Sequence, residues 1–212
     1  MPMTKYRVDG TDVLVVVDVQ KDFCPGGRLP VPGGDEVVPT INALAQRFRH
    51  VVLTQDWHPP GHQSFASAHS GRQPFQSIQL AYGSQVLWPD HCVQGTPGAQ
   101  FHAGLRIPHA ELILRKGYRR EIDSYSAFYE NDHTTPTGLA GYLRERGLTR
   151  VPRGLAFDFC IRYSAEDARR CDFAVVVIED GRRGIDMGGS VAAALAAFSS
   201  LGVPCIKEKA IG

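Results

Sequence analysis

Apolar residues run along this chain in two rhythms. Val13 to Val17 (VLVVV) is an unbroken apolar run of strand length that stops at Asp18. Val51-Val52-Leu53-Thr54 repeats it and stops at Gln55-Asp56-Trp57-His58. Between them, in DEVVPTINALAQRF from Asp35, Val38, Ile41, Leu44 and Phe48 recur at helical spacing. Glu111 to Leu114 predicts a third strand that ends at Arg115-Lys116-Gly117, and Thr137 to Arg146 an amphipathic helix stopped by Gly147. Strand and helix then alternate to the end: a strand over Val151 to Ala156, a helix over Asp158 to Arg170, a strand over Phe173 to Glu179, an Ala-rich helix over Gly189 to Leu201 and a last strand over Val203 to Ile206. Continuously apolar strands separated by helices predict an α/β fold, a doubly wound and mostly parallel sheet with helices on both faces. Residues 59–104 break the rhythm. They are rich in Gly, Pro, Ser, Gln and His, and read as a long functional excursion within one domain spanning 1–212.

Composition narrows the classes. The 212 residues carry 23 Lys+Arg against 22 Asp+Glu, which offers neither a nucleic acid nor an anionic membrane a basic face. No apolar run approaches the ~20 residues of a membrane span, and the first residues have no signal-peptide core. Five cysteines, Cys24, Cys92, Cys160, Cys171 and Cys205, are odd in number and lack CxxC pairs, which points away from a disulfide scaffold and towards a cytoplasmic protein.

In a doubly wound sheet, ligands bind beyond the carboxyl ends of the strands. Asp18, Asp56, His58, Lys116 and Cys160 are all predicted to lie on that edge. Cys160 stands where a strand gives way to a helix, and a helix N-terminus favours the nucleophilic thiolate. Taken singly it reads as a buried structural thiol, as Cys171 and Cys205 do, and Asp18 and Lys116 read as a plain ion pair. Taken together they read as a nucleophile, a carboxylate base and the cation that orients it. Asp56-x-His58, with His91 swinging in from the excursion, offers the two-histidine, one-carboxylate set of a catalytic metal site. His62 and His102 rank as supporting or structural groups. His50, His69 and His109 read as solvated surface histidines, and Cys92 points away from the site if its stretch is extended.

These motifs resemble a known family. Asp18-Val19-Gln20-Lys21-Asp22-Phe23, Asp56-Trp57-His58-Pro59, WPDHCVQGT over 88–96, Arg115-Lys116-Gly117, Asp123-Ser124-Tyr125-Ser126-Ala127-Phe128, Asp158-Phe159-Cys160, and Glu179-Asp180 with Arg183-Gly184-Ile185-Asp186 occur in order along nearly the whole chain. They are similar to those of the nicotinamidases/pyrazinamidases, a branch of the isochorismatase-like cysteine hydrolases. The resemblance implies an isochorismatase-like three-layer sandwich, a catalytic triad of Asp18, Lys116 and Cys160, and one divalent metal, zinc first and iron or manganese next, on Asp56, His58 and His91. It implies a pyridine carboxamide substrate between Phe23 and Trp88, with Tyr125 nearby. The ring nitrogen would lie on the metal, and the oxyanion hole on the backbone N–H groups of Ala156 and Cys160, beside a cis Leu155–Ala156 peptide. Hydrolysis to nicotinate and ammonia would pass through a Cys160 thioester. Many relatives form homo-oligomers.

One stretch departs from the family pattern. Pro152, Arg153 and Phe157 stand in the strand and turn that lead to Cys160. Proline cannot donate to a central ladder, and an unpaired charge is costly to bury. This stretch keeps open a catalytically weakened metal- or pyridine-binding relative. A carbamoyl or ureido amidase on the same triad is the other alternative, against which the Asp56/His58/His91 set argues.

Overall fold

The predicted alternation of buried strands and amphipathic helices is realised in the computed structural model, which describes residues 5–154, 157–181 and 183–212. Strands β1 (Val13–Val16), β2 (His50–Asp56), β5 (Leu112–Lys116), β6 (Arg150–Gly154), β7 (Ala174–Ile178) and β8 (Cys205–Ile206) form one six-stranded sheet in the order β5-β2-β1-β6-β7-β8. Each neighbouring pair is parallel. Side-chain alternation along β1 divides the core between the two faces of this sheet. Val13 and Val15 pack with helices α2 (Leu139–Glu145), α3 (Arg162–Arg170) and α4 (Ser190–Ser200) through Leu143, Ala165, Ala168 and Phe198. Leu14 and Val16 face the other way, onto Val37, Val38, Ile41 and Leu44 of helix α1 (Val37–Ala45). Both faces are therefore covered, which is why these strands read as continuously apolar.

Several elements differ from the reading of the sequence. The second and third strands run on to Asp56 and Lys116, so both side chains close a strand rather than follow one. The excursion contains an unanticipated antiparallel hairpin, β3 (Ser77–Leu80) and β4 (Gly83–Val86), whose short polar strands carry little apolar signal. The helix expected from Asp158 begins as a π-helical turn, Phe157–Ile161, and becomes α-helical at Arg162. The last strand shrinks to Cys205–Ile206.

The segment with Pro152 does occupy the centre of the sheet. It pairs with β7 from Arg150 to Arg153. Towards β1 it bridges at Asp12↔Arg150 and resumes at Val15↔Arg153, and the ladder lapses between them, where proline has no N–H to give. Leu155 and Ala156, and with them the expected cis peptide, lie outside the described residues. Among the described residues no disulfide joins the five cysteines, and no helix is long and apolar enough to cross a membrane.

One buried acid predicts a pH effect. Glu130 is 2% exposed, Arg119 Nε sits 3.0 Å from its Oε1, and its Oε2 has no partner. Burial pushes its carboxyl from 4.5 to about 7. A raised acid favours the fold below its unfolded value, and that contribution is lost as pH climbs through the folded one. Glu130→Gln should therefore unfold a few degrees higher than wild type at pH 8, on the order of 1 kcal/mol. The gap should close by pH 5; equal melting temperatures at both pH values would contradict it.

Candidate active site

The sheet order reverses between β1 and β6, and the strand ends flanking that point leave a crevice. Asp18 follows β1, Asp56 and Lys116 end β2 and β5 as partners in register, and Cys160 lies in the turn after β6. The structure thus brings together the three residues proposed for covalent chemistry.

Asp18 has φ 50°, a left-handed conformation that costs a non-glycine residue energy and recurs at functional sites. Thr54 holds it there: the Asp18 N–H donates to Thr54 Oγ1 (3.1 Å), and that hydroxyl donates to Asp18 Oδ1 (2.6 Å). Lys116, 1% exposed, donates to the Asp56 carboxylate, to the Ser124 carbonyl (2.9 Å) and to Cys160 Sγ (3.6 Å). An ammonium has three hydrogens, so these partners use all of them. Asp18 Oδ2 lies 3.0 Å from Nζ, but accepts no hydrogen bond and stays open towards the thiol. Burial pushes the Cys160 thiol well above its ordinary range, and the Asp18 and Asp56 charges add to this against the pull of Lys116. A resting thiol of this kind needs a base, and the open Asp18 oxygen is in place for it. Burial also opposes the Lys116 charge, but the two carboxylates outweigh it and hold the ammonium protonated.

Beside this group stand Asp56, His58 and His91, with ligating atoms within 4.8 Å of one another. His58 Nδ1 lies 2.8 Å from the Gly117 carbonyl and His91 Nδ1 2.8 Å from that of Pro89. Each Nδ1–H therefore donates, which leaves each Nε2 bare, 3.8 and 3.9 Å from Asp56 Oδ2. Burial drives both imidazoles below their usual pKa, most strongly His58, and so keeps them in the neutral, ligating form. Burial also pushes Asp56 up to about 8, against the pull of Lys116. A buried carboxyl group next to two bare imidazole nitrogens is a set that a divalent cation would satisfy. Gly117 makes the arrangement possible, because a Cβ there would overlap the His58 ring.

Around both groups lies a cavity lined by Phe23, Leu29, Trp88, Tyr125, Phe159 and Ile185, with Asp56, His58, His91, Asp123 and Cys160. Phe23, Trp88 and Tyr125 were expected there. Phe159, edge-on to Trp88 at 5.0 Å and to Tyr125 at 5.6 Å, was not singled out, although it adjoins the nucleophile. Leu29 and Ile185 arrive on loops that no periodicity marks. Ile185 is seated by buried Asp158, which accepts from the backbone N–H groups of Ile185 (3.0 Å) and Asp186 (2.7 Å). Ala156 lies outside the described residues. A larger hollow of about 530 Å³ opens beside β8, lined by Tyr6, Val176 and Cys205 among others, away from these reactive groups.

The remaining histidines divide. His62 is fully buried, lies tilted against His58 at 4.4 Å and engages Ser64 Oγ and the Ile122 carbonyl with its two nitrogens, so it braces the His58 ring. His102 accepts the Gly104 N–H, a structural role. His50 and His69 are not solvated as expected. Both are half-buried, the first against Glu111 and the second against the Gln63 carbonyl, while His109 is exposed. Cys92 corrects the assumption of an extended stretch: its φ is 47°, and its N–H donates to Asp22 Oδ2 at 2.8 Å. That bond fixes the turn carrying His91.

Comparison with known proteins supplies the chain's relatives. The Isochorismatase domain model matches residues 12–209. A nicotinamidase of Acinetobacter baylyi is 53% identical over 199 residues, 93% of either chain. A solved structure described as an Acinetobacter baumanii nicotinamidase/pyrazinamidase superposes with a TM-score of 0.94 at 54% identity, covering 95% of this chain and 98% of that one. The pyrazinamidase of Pyrococcus horikoshii, solved in complex with zinc, gives 0.76 at 33% identity over 93% and 99%.

Proposed function

The chain belongs to the isochorismatase family, and from that premise we propose that it hydrolyses the carboxamide of nicotinamide, and of pyrazinamide, to the ring carboxylate and ammonia. The observation that carries this reading is the convergence of an open carboxylate oxygen, a buried ammonium and a thiol beside an aromatic cavity.

Asp18 takes the thiol proton, and Cys160 Sγ forms a bond to the carboxamide carbon. Charge that develops on the carbonyl oxygen is met by the backbone N–H groups of Cys160 and Ala156, the pair implied by family resemblance; one such donor is typically worth ~10²–10³ in rate. The C–N bond breaks, and nitrogen leaves as ammonia with the proton held by Asp18. In the second half Asp18 takes a proton from water, whose oxygen adds to the thioester carbon. The S–C bond then breaks, and the sulfur regains its proton. Lys116 keeps Asp18 aligned, its Nζ 3.0 Å from Oδ2, while Phe23, Trp88, Tyr125 and Phe159 fix the plane of the ring. Asp56, His58 and His91 would hold one divalent ion, zinc foremost, with iron or manganese as alternatives. Bound there, the ion supplies Lewis-acidic positive charge beside the ring pocket. A cytoplasmic location and assembly into a homo-oligomer complete the reading.

Ammonia release from nicotinamide by the purified protein tests it. Release should disappear after chelation and return with about one zinc equivalent per chain. His91→Ala should lower metal affinity by at least tenfold, as loss of even supporting groups does. A fully demetallated protein that keeps its rate would remove the metal from the account. A metal-replete protein that releases no ammonia would overturn the amidase reading.

A further inference from the structure

Gln85, on β4, is fully buried behind the ring pocket and takes no part in the chemistry above. Its surroundings fix which way its amide faces. The backbone N–H of Tyr125 donates to Asn131 Oδ1 (3.0 Å), so Asn131 Nδ2 must be the atom that donates to Gln85 Oε1 (3.1 Å). The Tyr82 hydroxyl donates to the same oxygen (3.1 Å). Gln85 Nε2 is thereby turned to the other side, where three acceptors stand: the Val86 carbonyl (2.7 Å), Asp123 Oδ2 (2.9 Å) and the Tyr125 phenol oxygen (2.9 Å). Trp88 Nε1 donates to that same phenol oxygen (3.1 Å). The two hydrogens of Gln85 Nε2 are shared among these three acceptors, so that Gln85 and Trp88 Nε1 bracket the phenol oxygen and set the Tyr125 ring against Trp88, the rings lying 6.2 Å apart at 81°.

Resting on the reading of this cavity as a pocket for a six-membered carboxamide ring, we propose that Gln85 is a positioning residue for substrate. Its amide, oriented by Asn131, holds the Tyr125–Trp88 wall and the Asp123 carboxylate in place before the ring enters. A preformed wall spares the substrate the cost of ordering it, so the effect belongs in binding more than in bond-making. The hairpin bearing Gln85 pairs with no other strand among the described residues; backbone bonds of Trp88 to Ser64 and Ala66 tie its end, and side-chain contacts such as those of Gln85 seat the rest.

The test is a double-mutant cycle on metal-replete protein with nicotinamide as substrate. Gln85→Met keeps the volume and removes both donors and acceptor. Gln85→Glu keeps the size and the acceptor and leaves at most one donor in place of two, and gives a second chance of a folded variant. Each should raise KM roughly tenfold, the scale of one lost buried hydrogen bond, and leave kcat within about threefold. Tyr125→Phe should give a similar rise. The combined variant should be no worse than the poorer single one, because both changes break the same contact. Multiplying KM effects, a KM within twofold of wild type in a folded Gln85 variant, or failure of both Gln85 variants to fold would each overturn the proposal, the last by assigning the amide to stability alone. Wild type is measured in the same assay. Its silence would sink the amidase reading, whereas normal wild-type turnover with an unmoved KM in the variants would sink only the role of Gln85.

Discussion

Cys160→Ala is expected to stop ammonia release from nicotinamide, with a fall of at least about 10⁴ in kcat, the scale seen when a covalent nucleophile is removed. The loss is so large because nothing near the cavity replaces the thiol. Cys92, the cysteine next to His91, is fully buried, does not line the cavity, and its thiol is pushed up by burial and by the Asp56 charge. Stability should change little. Cys160 is 7% exposed, and alanine removes one sulfur from the edge of the core cluster formed by Ile161 and Ala165. Metal content should stay at wild-type level, because the sulfur is not in the proposed metal set of Asp56, His58 and His91. The variant therefore separates chemistry from folding and metal binding in a single preparation. A Cys160→Ala protein that retains a tenth of the wild-type rate would mean that sulfur is not the nucleophile.

Lys116→Met is expected to damage both rate and fold. The ammonium is the one cation within reach of Asp18 and Asp56 among the described residues, and all three side chains are buried. Removing one partner of a buried ion cluster leaves uncompensated charge and costs about 3–5 kcal/mol, which is about 10 °C in a chain of this size. The sign with pH follows from Asp56, which burial already holds up to about 8 while Lys116 pulls it down. Without Lys116 it moves higher. The variant should then be least stable relative to wild type at pH 8 and recover towards pH 5, where a neutral carboxyl no longer needs a cation. Its rate should fall by several orders of magnitude across that range, because Asp18 loses the cation that aligns it beside the thiol. Calorimetry at pH 5 and pH 8 checks the first claim and ammonia release the second. A deficit that grows on acidification would contradict the assignment of Lys116 as the cation between two acids.

The catalytic edge was legible from the sequence because in a parallel sheet the end of an apolar run is also a place in space. VLVVV followed by Asp18, and Thr54 followed shortly by Asp56 and His58, put reactive groups on one edge before any contact was known. His91 was legible only as a histidine that could swing in from the excursion; the turn that delivers it, held by Asp22 and a left-handed Cys92, left no mark in the sequence. Residues carried by loops left no such mark. Leu29 and Ile185 enter the cavity from irregular segments, and Gln85 lies on a hairpin whose polar strands mimic the loops around them. His50 and His69 looked like surface histidines because their acceptors, Glu111 and the Gln63 carbonyl, are brought to them only by tertiary packing. Pro152 raised the question of whether a strand could form there. Arg150–Gly154 does form one, the ladder with β1 lapsing between Arg150 and Arg153 while pairing to β7 continues.

The central claim is a covalent intermediate on Cys160. Rapid acid quench of metal-replete protein during turnover of nicotinamide, followed by mass spectrometry of the peptide containing Cys160, tests it most directly. The account predicts a nicotinoyl adduct on that peptide which appears with the first turnover, decays when substrate is exhausted, and is absent from Cys160→Ala. Ammonia released at the wild-type rate with no acyl group on Cys160 at any quench time, under conditions that preserve an authentic thioester standard, would contradict it.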